Sequence, residues 1–394
     1  MRESRLKFGV VRGGVLRGLG GIADLVTGGA GNRAGELCDM RRFLILEHAL
    51  ALGTAVHATP LLPALRRAVP GCEIAMAASG FGREVFRHNP AIDRMIETVS
   101  PLRDVWGAVR EMRSARVFGG ETYAVLTPVG NERTKIATQA MASGPGARVG
   151  FTVAPAMFRV GLEFDFGLSQ IANNLRIVGA LGHGAGLPQT ATEGASEPQV
   201  FFTEGELRRV QALLADGGVD AARPVSVLVT QTSVTQRKSW RAERFQAAAR
   251  FLRERYGMQI VFAGAAGEAR AIDELRGGLG FATLSVAGRT SITELAALLS
   301  VCDVGLTLDT GPMHLGRAVG LPMVIVAPAW SPVLEWLPVG DPRFVILKKL
   351  EMERAPDGYV IDEVSVEDVL GALVELLARY PPGERGSWPR MLVG

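Results

Sequence analysis

Short apolar runs alternate along the chain with segments that carry apolar residues three and four positions apart. The first pattern is typical of strands buried on both faces, and the second of amphipathic helices. Because the two patterns alternate, we predict an α/β protein built on parallel sheets. The predicted strands are 43–47, 73–78, 94–98, 122–127, 148–150, 224–230, 259–263, 284–287, 304–308 and 323–326. The predicted helices are 54–69, one that follows a loop within 129–142, 170–181, 203–216, 242–256, 313–319 and 366–380, the last with Ser365 as its N-cap.

A stretch rich in Gly, Ala, Thr and Pro, residues 183–200, is the clearest break in this pattern. Such composition is typical of linkers, and a chain of 394 residues is long enough for two domains. We therefore predict two doubly wound, Rossmann-like domains that face a cleft. The predicted divisions are an extension at 1–40, an N-terminal domain at 41–185, a linker at 186–200, a C-terminal domain at 201–380 and a tail at 381–394.

Composition narrows the possible classes of function. The formal net charge is only +3, with Lys and Arg spread along the chain, so we do not expect nucleic acid as a partner. The three cysteines, Cys38, Cys72 and Cys302, lack metal-ligand spacing, and their odd number fits a reducing compartment. No apolar run reaches the roughly 18 residues of a membrane span, and the start shows no convincing secretory signal. We therefore expect a cytoplasmic protein.

The extension at 1–40 leaves two interpretations open. Its apolar residues recur at helical spacing beside a basic face, which would suit the anionic inner surface of the cytoplasmic membrane or a partner. Its many glycines oppose a helix, each by about 1 kcal/mol, and favour a partly ordered extension instead. The apolar residues are Val11, Val15, Leu19, Ile22 and Val26, and the basic ones are Arg2, Arg5, Lys7, Arg12 and Arg17.

The densest candidate chemistry lies in the loop that joins the predicted strand 304–308 to the helix after it. This loop holds the Asp309 carboxylate, the Thr310 hydroxyl and Gly311, and the His314 imidazole follows in the helix. Open α/β sheets bind ligands at the carboxyl ends of parallel strands, and a helix N-terminus favours an anion. We therefore predict an anion pocket formed by these four residues. Taken alone, they would also suit a loop Asp that caps a helix and a His packed in the core.

The order D-T-G-P-M-H-L, small helix, G-x-P and second strand resembles the C-terminal signature of the heptosyltransferase family. Residues 286–299 are similar to the AGxTSLxELAALL segment that precedes this signature in the family, and the two occur in register. Family members are inverting, metal-independent GT-B glycosyltransferases that transfer heptose from ADP-heptose to the lipopolysaccharide core. The resemblance therefore implies the GT-B fold, an ADP-linked nucleotide sugar held by the C-terminal half, and a glycolipid or other cell-surface acceptor. It implies neither a metal nor a cofactor.

The loop after the predicted strand that ends at Thr230 is a second candidate for binding phosphate. Four hydroxyls precede Lys238, those of Thr230, Thr232, Ser233 and Thr235. Hydroxyls together with an ammonium can surround a phosphate. The K-S-W segment beginning at Lys238 matches the family's Lys-x-Trp, whereas the family's His at the loop start is Thr230 here. Without that match, Lys238 would be taken for a solvated surface lysine. By resemblance, Gly264 belongs to a loop on the nucleotide side.

In the N-terminal half, the segment LGTAVHATP resembles the family's opening pattern LGD-x-x-x-x-TP. The family's Asp, its proposed general base, is replaced by Thr54, whose neutral hydroxyl cannot take up a proton near pH 7. We predict that His57, three residues on in the first turn of the helix, is the base and that Thr54 orients the acceptor. Glu47 and His48, at the end of the first strand, are the alternatives, and His57 would equally suit a purely structural role at the start of the helix. The matching residues are Gly53, Thr59, Pro60 and Arg66.

Transfer from a nucleotide diphosphate sugar requires that the leaving pyrophosphate be stabilised. We assign this to Lys238, the loop hydroxyls and the amides near Thr310 and Gly311. Two other functions stay open. The replacement at Thr54 favours a protein of the same fold that binds a nucleotide sugar or a partner without transfer. That replacement and the extension, both on the acceptor side, would also suit a transferase that modifies a protein or a capsular acceptor.

Overall fold

Two parallel β-sheets of six strands each form the framework of the computed structural model. The structure describes residues 37–144, 146–183, 197–230, 238–383 and 392–393. These residues fall into two units, divided between Pro198 and Gln199. Most of the predicted extension and tail, together with the predicted site residues Thr232 and Ser233, lie outside the described residues.

The N-terminal unit is a doubly wound sheet. Its strands are β1 Arg42–Glu47, β2 Glu73–Ala78, β3 Arg94–Glu97, β4 Ala124–Thr127, β5 Ala147–Phe151 and β6 Val160–Leu162. Its helices are α1 Leu52–Ala58, α2 Leu61–Ala68, α3 Phe81–Phe86, α4 Val105–Ser114, α5 Thr134–Ala142 and α6 Gln170–Val178. The spatial strand order is β3-β2-β1-β4-β5-β6, with parallel pairing throughout. The last five residues of β1 are all buried, as expected of a central strand covered on both faces.

The helix predicted over 54–69 is divided into α1 and α2 at Thr59 and Pro60. Pro60 has no N–H to donate, and the Thr59 N–H bonds to the Val56 carbonyl at 3.1 Å, which tightens the chain at the end of α1. Because the backbone is extended only as far as Ala51, α1 begins at Leu52, before the predicted start. The prediction that His57 occupies the first turn is therefore wrong, since it lies in the last.

The C-terminal unit repeats the architecture. Its six-stranded sheet contains β8 Val225–Val229, β9 Gln259–Phe262, β10 Leu284–Ser285, β11 Val304–Leu308, β12 Met323–Val326 and β13 Phe344–Leu347, and a small parallel pair joins β7 Phe202–Thr203 to β14 Leu392–Val393. Its helices are α7 Glu204–Asp216, α8 Ala242–Tyr256, α9 Ala269–Gly277, α10 Ile292–Val301, α11 Gly311–Ala318, α12 Val333–Trp336 and α13 Val366–Arg379. The strand order is β10-β9-β8-β11-β12-β13.

Three helices of this unit begin with reciprocal hydrogen bonds, in which a hydroxyl and a carboxylate each accept from the backbone N–H of the other residue. Such capping boxes satisfy backbone N–H groups that have no partner within the helix. In α13 the Ser365 side chain accepts from the Asp368 N–H while the Asp368 carboxylate accepts from the Ser365 N–H. The cap predicted at Ser365 is thus confirmed. The other two boxes pair Thr203 with Glu206 and Ser291 with Glu294.

Each sheet reverses its winding direction between two central strands, β1 and β4 in one unit and β8 and β11 in the other. Loops leaving the carboxyl ends of strands on either side of such a switch point diverge and leave room for a ligand. The predicted α/β class with two Rossmann-like sheets is confirmed. Within the described part of the chain, no helix is long and apolar enough to cross a bilayer.

Candidate functional site

The switch point of the C-terminal unit brings Lys238 to Asp309. Lys238 lies beyond the carboxyl end of β8, and Asp309 directly follows β11. The Lys238 Nζ donates to the Asp309 carboxylate at 2.8 Å and to the Asp309 backbone carbonyl at 2.9 Å. The two side chains are only 11% and 3% exposed. Lys238 is therefore not a solvated surface lysine but half of a buried ion pair.

The carboxylate of this pair is further stabilised by a hydroxyl. Ser331 Oγ donates to Asp309 Oδ2 at 2.6 Å. Burial alone would raise the pKa of Asp309, but the Lys238 charge and the hydrogen bonds from Lys238 and Ser331 hold that pKa below its ordinary value. Asp309 is consequently ionised at neutral pH and fixes the position of the ammonium.

Two threonine hydroxyls accompany the ion pair at the ends of β8 and β11. Thr230 and Thr310 are both buried, and no group within the described ranges hydrogen-bonds either hydroxyl. Thr310 is the N-cap residue of α11, yet its side chain does not cap the helix. A buried hydroxyl that lacks a partner costs free energy, which a ligand oxygen at this point would recover. With Gly311 opening the helix, this arrangement suits an anion.

His314 lies one turn into α11 and is almost fully buried. Its ring packs near the ring of Trp336, with centroids 5.9 Å apart. Burial lowers its pKa to about 4, and Lys238 contributes in the same direction while Asp309 opposes it. His314 is therefore neutral at pH 7 and is suited to hydrogen bonding rather than to charge pairing.

Gly264 lies two residues after the end of β9, at the same edge of the sheet. A Cβ at this position would come within 2.7 Å of the Glu268 carboxylate and 2.8 Å of Ile272 Cδ1. A side chain at this position would therefore displace the ends of the Glu268 and Ile272 side chains. The nucleotide-binding role of Gly264 implied by the resemblance stays a prediction.

Two residues of this site were not predicted from the sequence, Trp330 and Ser331. Both lie in the loop after β12, where the Trp330 ring centroid is 5.2 Å from Lys238 Nζ. The available signal was topological, because A-W-S-P follows a buried parallel strand and so lies at its carboxyl end.

In the N-terminal unit, the switch point is occupied by a buried glutamate. Glu47 ends β1 and is fully buried. Its carboxyl accepts from the Ala49 N–H at 2.9 Å and from the Asn131 side-chain amide at 3.3 Å. Burial raises the pKa of Glu47 to about 8, and the two hydrogen bonds only partly offset that effect. Glu47 is therefore largely protonated at neutral pH.

Asn131, which was also not predicted, ties the loop after β1 to the loop after β4. Its side-chain carbonyl accepts from the His48 N–H at 2.7 Å, and its amide donates to the Pro128 carbonyl at 3.2 Å. The His48 ring itself is buried against Ser79, with Nδ1 and Oγ 2.8 Å apart. Burial lowers the pKa of His48 to about 4.

Thr54 and His57 are both buried within α1, at 6% and 1% exposure. The Asn174 side-chain amide donates to the His57 backbone carbonyl at 3.0 Å, which joins α1 to α6. Gly130, with φ of +91°, lies so close to Thr54 that an added Cβ would be 2.4 Å from the Thr54 methyl group. The loop after β4 therefore packs directly on Thr54.

Residues 173–347 match the sequence model of Glycosyltransferase family 9 (heptosyltransferase). The predicted resemblance to the heptosyltransferase family is confirmed. The matched range includes Lys238, Asp309, Thr310 and His314, whereas Glu47, Thr54 and His57 lie outside it. A curated relative, the lipopolysaccharide core heptosyltransferase OpsX of Haemophilus influenzae, is 26% identical over 112 residues, which cover 28% of this chain and 32% of that protein. The alignment thus spans about a third of that relative.

Solved structures agree with the GT-B architecture of the heptosyltransferase family. A glycosyl transferase family 9 protein from Veillonella parvula superimposes with a TM-score of 0.76 at 20% identity, covering 86% of this chain and 98% of that one. The ADP-heptose lps heptosyltransferase II of E. coli superimposes with a TM-score of 0.68 at 19% identity, covering 85% and 98%. At these identities the likeness establishes the fold, and the predicted GT-B class is confirmed.

Proposed function

We propose that this protein is an inverting, metal-independent glycosyltransferase that uses a nucleotide diphosphate sugar, ADP-heptose in the first instance. Its acceptor would be a lipopolysaccharide core or a related cell-surface glycan. The observation that carries the proposal is the buried Lys238–Asp309 pair beside Thr310 at the start of α11. The match to the family 9 model over residues 173–347 supports glycosyl transfer, and the name of the E. coli neighbour supports an ADP-linked donor.

In the proposed reaction, an acceptor hydroxyl attacks the anomeric carbon and the bond to the distal phosphate oxygen breaks with inversion. Negative charge then develops on the leaving diphosphate. The Lys238 ammonium, the Thr310 hydroxyl and the N–H groups at the start of α11 are fixed donors for that charge. Donors that are already oriented need no reorganisation as the charge develops, which is the largest single contribution in many such steps.

Replacing Thr310 with valine tests the donor site with little effect on the fold. The Thr310 hydroxyl has no hydrogen-bond partner among the described residues, so its removal should leave the free energy of unfolding within about 1 kcal/mol of wild type. Affinity for ADP should fall roughly 10- to 100-fold, the range for a hydrogen bond to a charged group. Calorimetric titration of the full chain with ADP measures this directly.

A neighbouring threonine provides the matched control. Thr307 lies in β11, and its hydroxyl donates to the Leu308 carbonyl at 2.8 Å. Thr307→Val should therefore lose stability, by about 1 kcal/mol, and keep its affinity for ADP. Unchanged ADP affinity in Thr310→Val would contradict the assignment of the diphosphate to the start of α11.

The base that accepts the acceptor's proton is proposed to be His57, one helical turn after Thr54. Glu47 is the alternative, since it lies at the switch point. With a pKa of about 8, a fraction of Glu47 is ionised near neutral pH and can accept a proton. Loss of the base should lower the transfer rate about 10²- to 10⁴-fold. Transfer assays on His57→Ala, Glu47→Gln and His48→Ala decide between them. A rate that rises through about pH 8 and disappears only in Glu47→Gln would reject His57.

A second function, binding without transfer, is favoured by one observation. Thr54 replaces the family carboxylate, and the three candidate bases are all at most 2% exposed. A wild-type protein that binds ADP-heptose but transfers nothing, together with a Thr54→Asp variant that gains transfer, would support this alternative. Transfer by the wild type to a lipopolysaccharide core acceptor would reject it.

A further inference from the structure

Trp330 lies against the buried ion pair of the C-terminal unit. It is half-buried, follows β12, and its ring centroid is 5.2 Å from Lys238 Nζ. The next residue, Ser331, donates to Asp309, so the indole and the carboxylate both lie next to the same ammonium. The indole therefore borders the point where a diphosphate would meet Lys238.

The loop that carries Trp330 is fixed along its whole length. Pro328 and Pro332 flank it and restrict the backbone. Residues on both sides of the indole are hydrogen-bonded to other parts of the unit, so ordering of this loop would not oppose ligand binding. The bonds are Ala329 N–H to Tyr359 Oη (3.0 Å), Met352 N–H to the Ala329 carbonyl (2.9 Å), Lys348 Nζ to the Ser331 carbonyl (2.9 Å) and Ser331 N–H to the Pro328 carbonyl (3.0 Å).

A second tryptophan of the same unit, Trp240, has the environment expected of an indole that only stabilises the fold. Trp240 is 4% exposed, packs edge-to-face on Phe245 at 4.8 Å and donates its N–H to the Val364 carbonyl at 2.9 Å. It belongs to the apolar core. Trp330 is not part of that core and keeps part of its surface exposed. A large, half-exposed aromatic ring on a rigid loop beside polar groups is characteristic of ligand pockets.

We propose that the indole of Trp330 packs against the sugar ring of the donor and thereby contributes to the choice of sugar. This inference rests on the proposed function. The sugar is bonded directly to the distal phosphate, whereas the nucleobase is separated from the phosphates by the ribose. The Trp330 ring is 5.2 Å from Lys238 Nζ. With the diphosphate bound to Lys238, the ring would therefore lie closer to the sugar than to the nucleobase. The apolar C–H groups of a sugar face are complementary to the electron-rich face of an indole.

The test compares two ligands on the same variants. Trp330→Ala should weaken binding of ADP-heptose roughly 10-fold and change binding of ADP less than about 2-fold, because ADP lacks the sugar. Trp330→Phe should keep most of the affinity for ADP-heptose, since it retains an aromatic face. Trp106→Ala is the matched control, since Trp106 is 66% exposed in the N-terminal unit and should have no effect on either ligand.

Each other result rejects the proposal. An equal loss of affinity for ADP and ADP-heptose in Trp330→Ala would show that the indole acts on Lys238 through its charge rather than on the sugar. Unchanged affinity for both ligands would show that the indole contacts neither. Failure of the proposed function would appear differently, as wild-type protein that binds neither ADP nor ADP-heptose.

Discussion

Replacing Lys238 with methionine is expected to destabilise the C-terminal unit by about 3–5 kcal/mol, the cost of removing one partner of a buried ion pair. The Asp309 carboxylate is 3% exposed and would lose the charge that balances it, keeping only the Ser331 hydroxyl as a side-chain partner among those described. Its pKa, now held below the ordinary value by Lys238, would rise. Urea denaturation of the full chain, with the C-terminal unit followed by hydrogen exchange, measures the loss.

Asp309→Asn and the double variant complete the cycle. Removing both charges leaves no uncompensated ion, so Lys238→Met with Asp309→Asn should cost much less than the sum of the single changes. Additive losses would mean that the two groups are not paired in solution. Lys349→Met is the control, since Lys349 is 47% exposed and its bond to Asp368 lies at the surface.

The same variants separate the effect of Lys238 on stability from its effect on ADP binding. The double variant should recover stability but not affinity for ADP, because the ammonium that would meet the diphosphate is still absent. Recovery of ADP affinity together with stability would instead make Lys238 a structural residue. The donor site would then be assigned to the start of α11 alone.

The strands and helices were predictable wherever burial allows only one pattern of apolar and polar residues. Val304–Leu308 and Ala242–Tyr256 have the predicted bounds, because a strand covered on both faces must be apolar and a surface helix must be amphipathic. The division of α1 from α2 was not predicted, although Pro60 marks it. Helical periodicity continues across that break in the sequence, so the apolar pattern alone does not reveal the interruption caused by the missing N–H of Pro60.

Residues of the candidate site were predictable from the sequence only where they belong to one continuous motif. Asp309, Thr310 and His314 occur together in one segment, and a lysine after β8 had a counterpart in the family pattern. Ser331 and Asn131 act through contacts 22 and 84 positions away, with Asp309 and Glu47 respectively. Which loops meet at a switch point depends on strand order, and no local pattern encodes that order.

Glu47→Gln is expected to remove a loss of stability that the N-terminal unit undergoes as the pH rises towards 9. The pKa of Glu47 is raised by burial from 4.5 to about 8 in the folded state. Between these values the folded protein holds a proton that the unfolded chain has released. The contribution of Glu47 to stability is therefore fully present below pH 4.5 and is lost as the pH rises through about 8.

The size of this change in stability follows from the shift in the pKa of Glu47. Each unit of pKa corresponds to about 1.36 kcal/mol, so the stability of wild type relative to Glu47→Gln should fall by up to about 4 kcal/mol between pH 5 and pH 9. Glutamine cannot ionise, and any constant cost of its amide facing Asn131 appears at both pH values and cancels in this comparison. Urea denaturation at the two pH values, followed by exchange of the β1 amides, measures the difference.

Buried histidines change stability with pH in the opposite direction to Glu47, so their contribution must be separated from that of Glu47. The pKa values of His48 and His314 are both lowered from 6.5 to about 4, so the folded protein loses stability as the pH falls through this window. Both histidines are present in wild type and in Glu47→Gln, and their effect therefore cancels between the two. A difference between wild type and Glu47→Gln that is the same at pH 5 and pH 9 would mean that Glu47 is already ionised when folded. The carboxylate would then be stabilised by Asn131 and the Ala49 N–H more strongly than burial destabilises it.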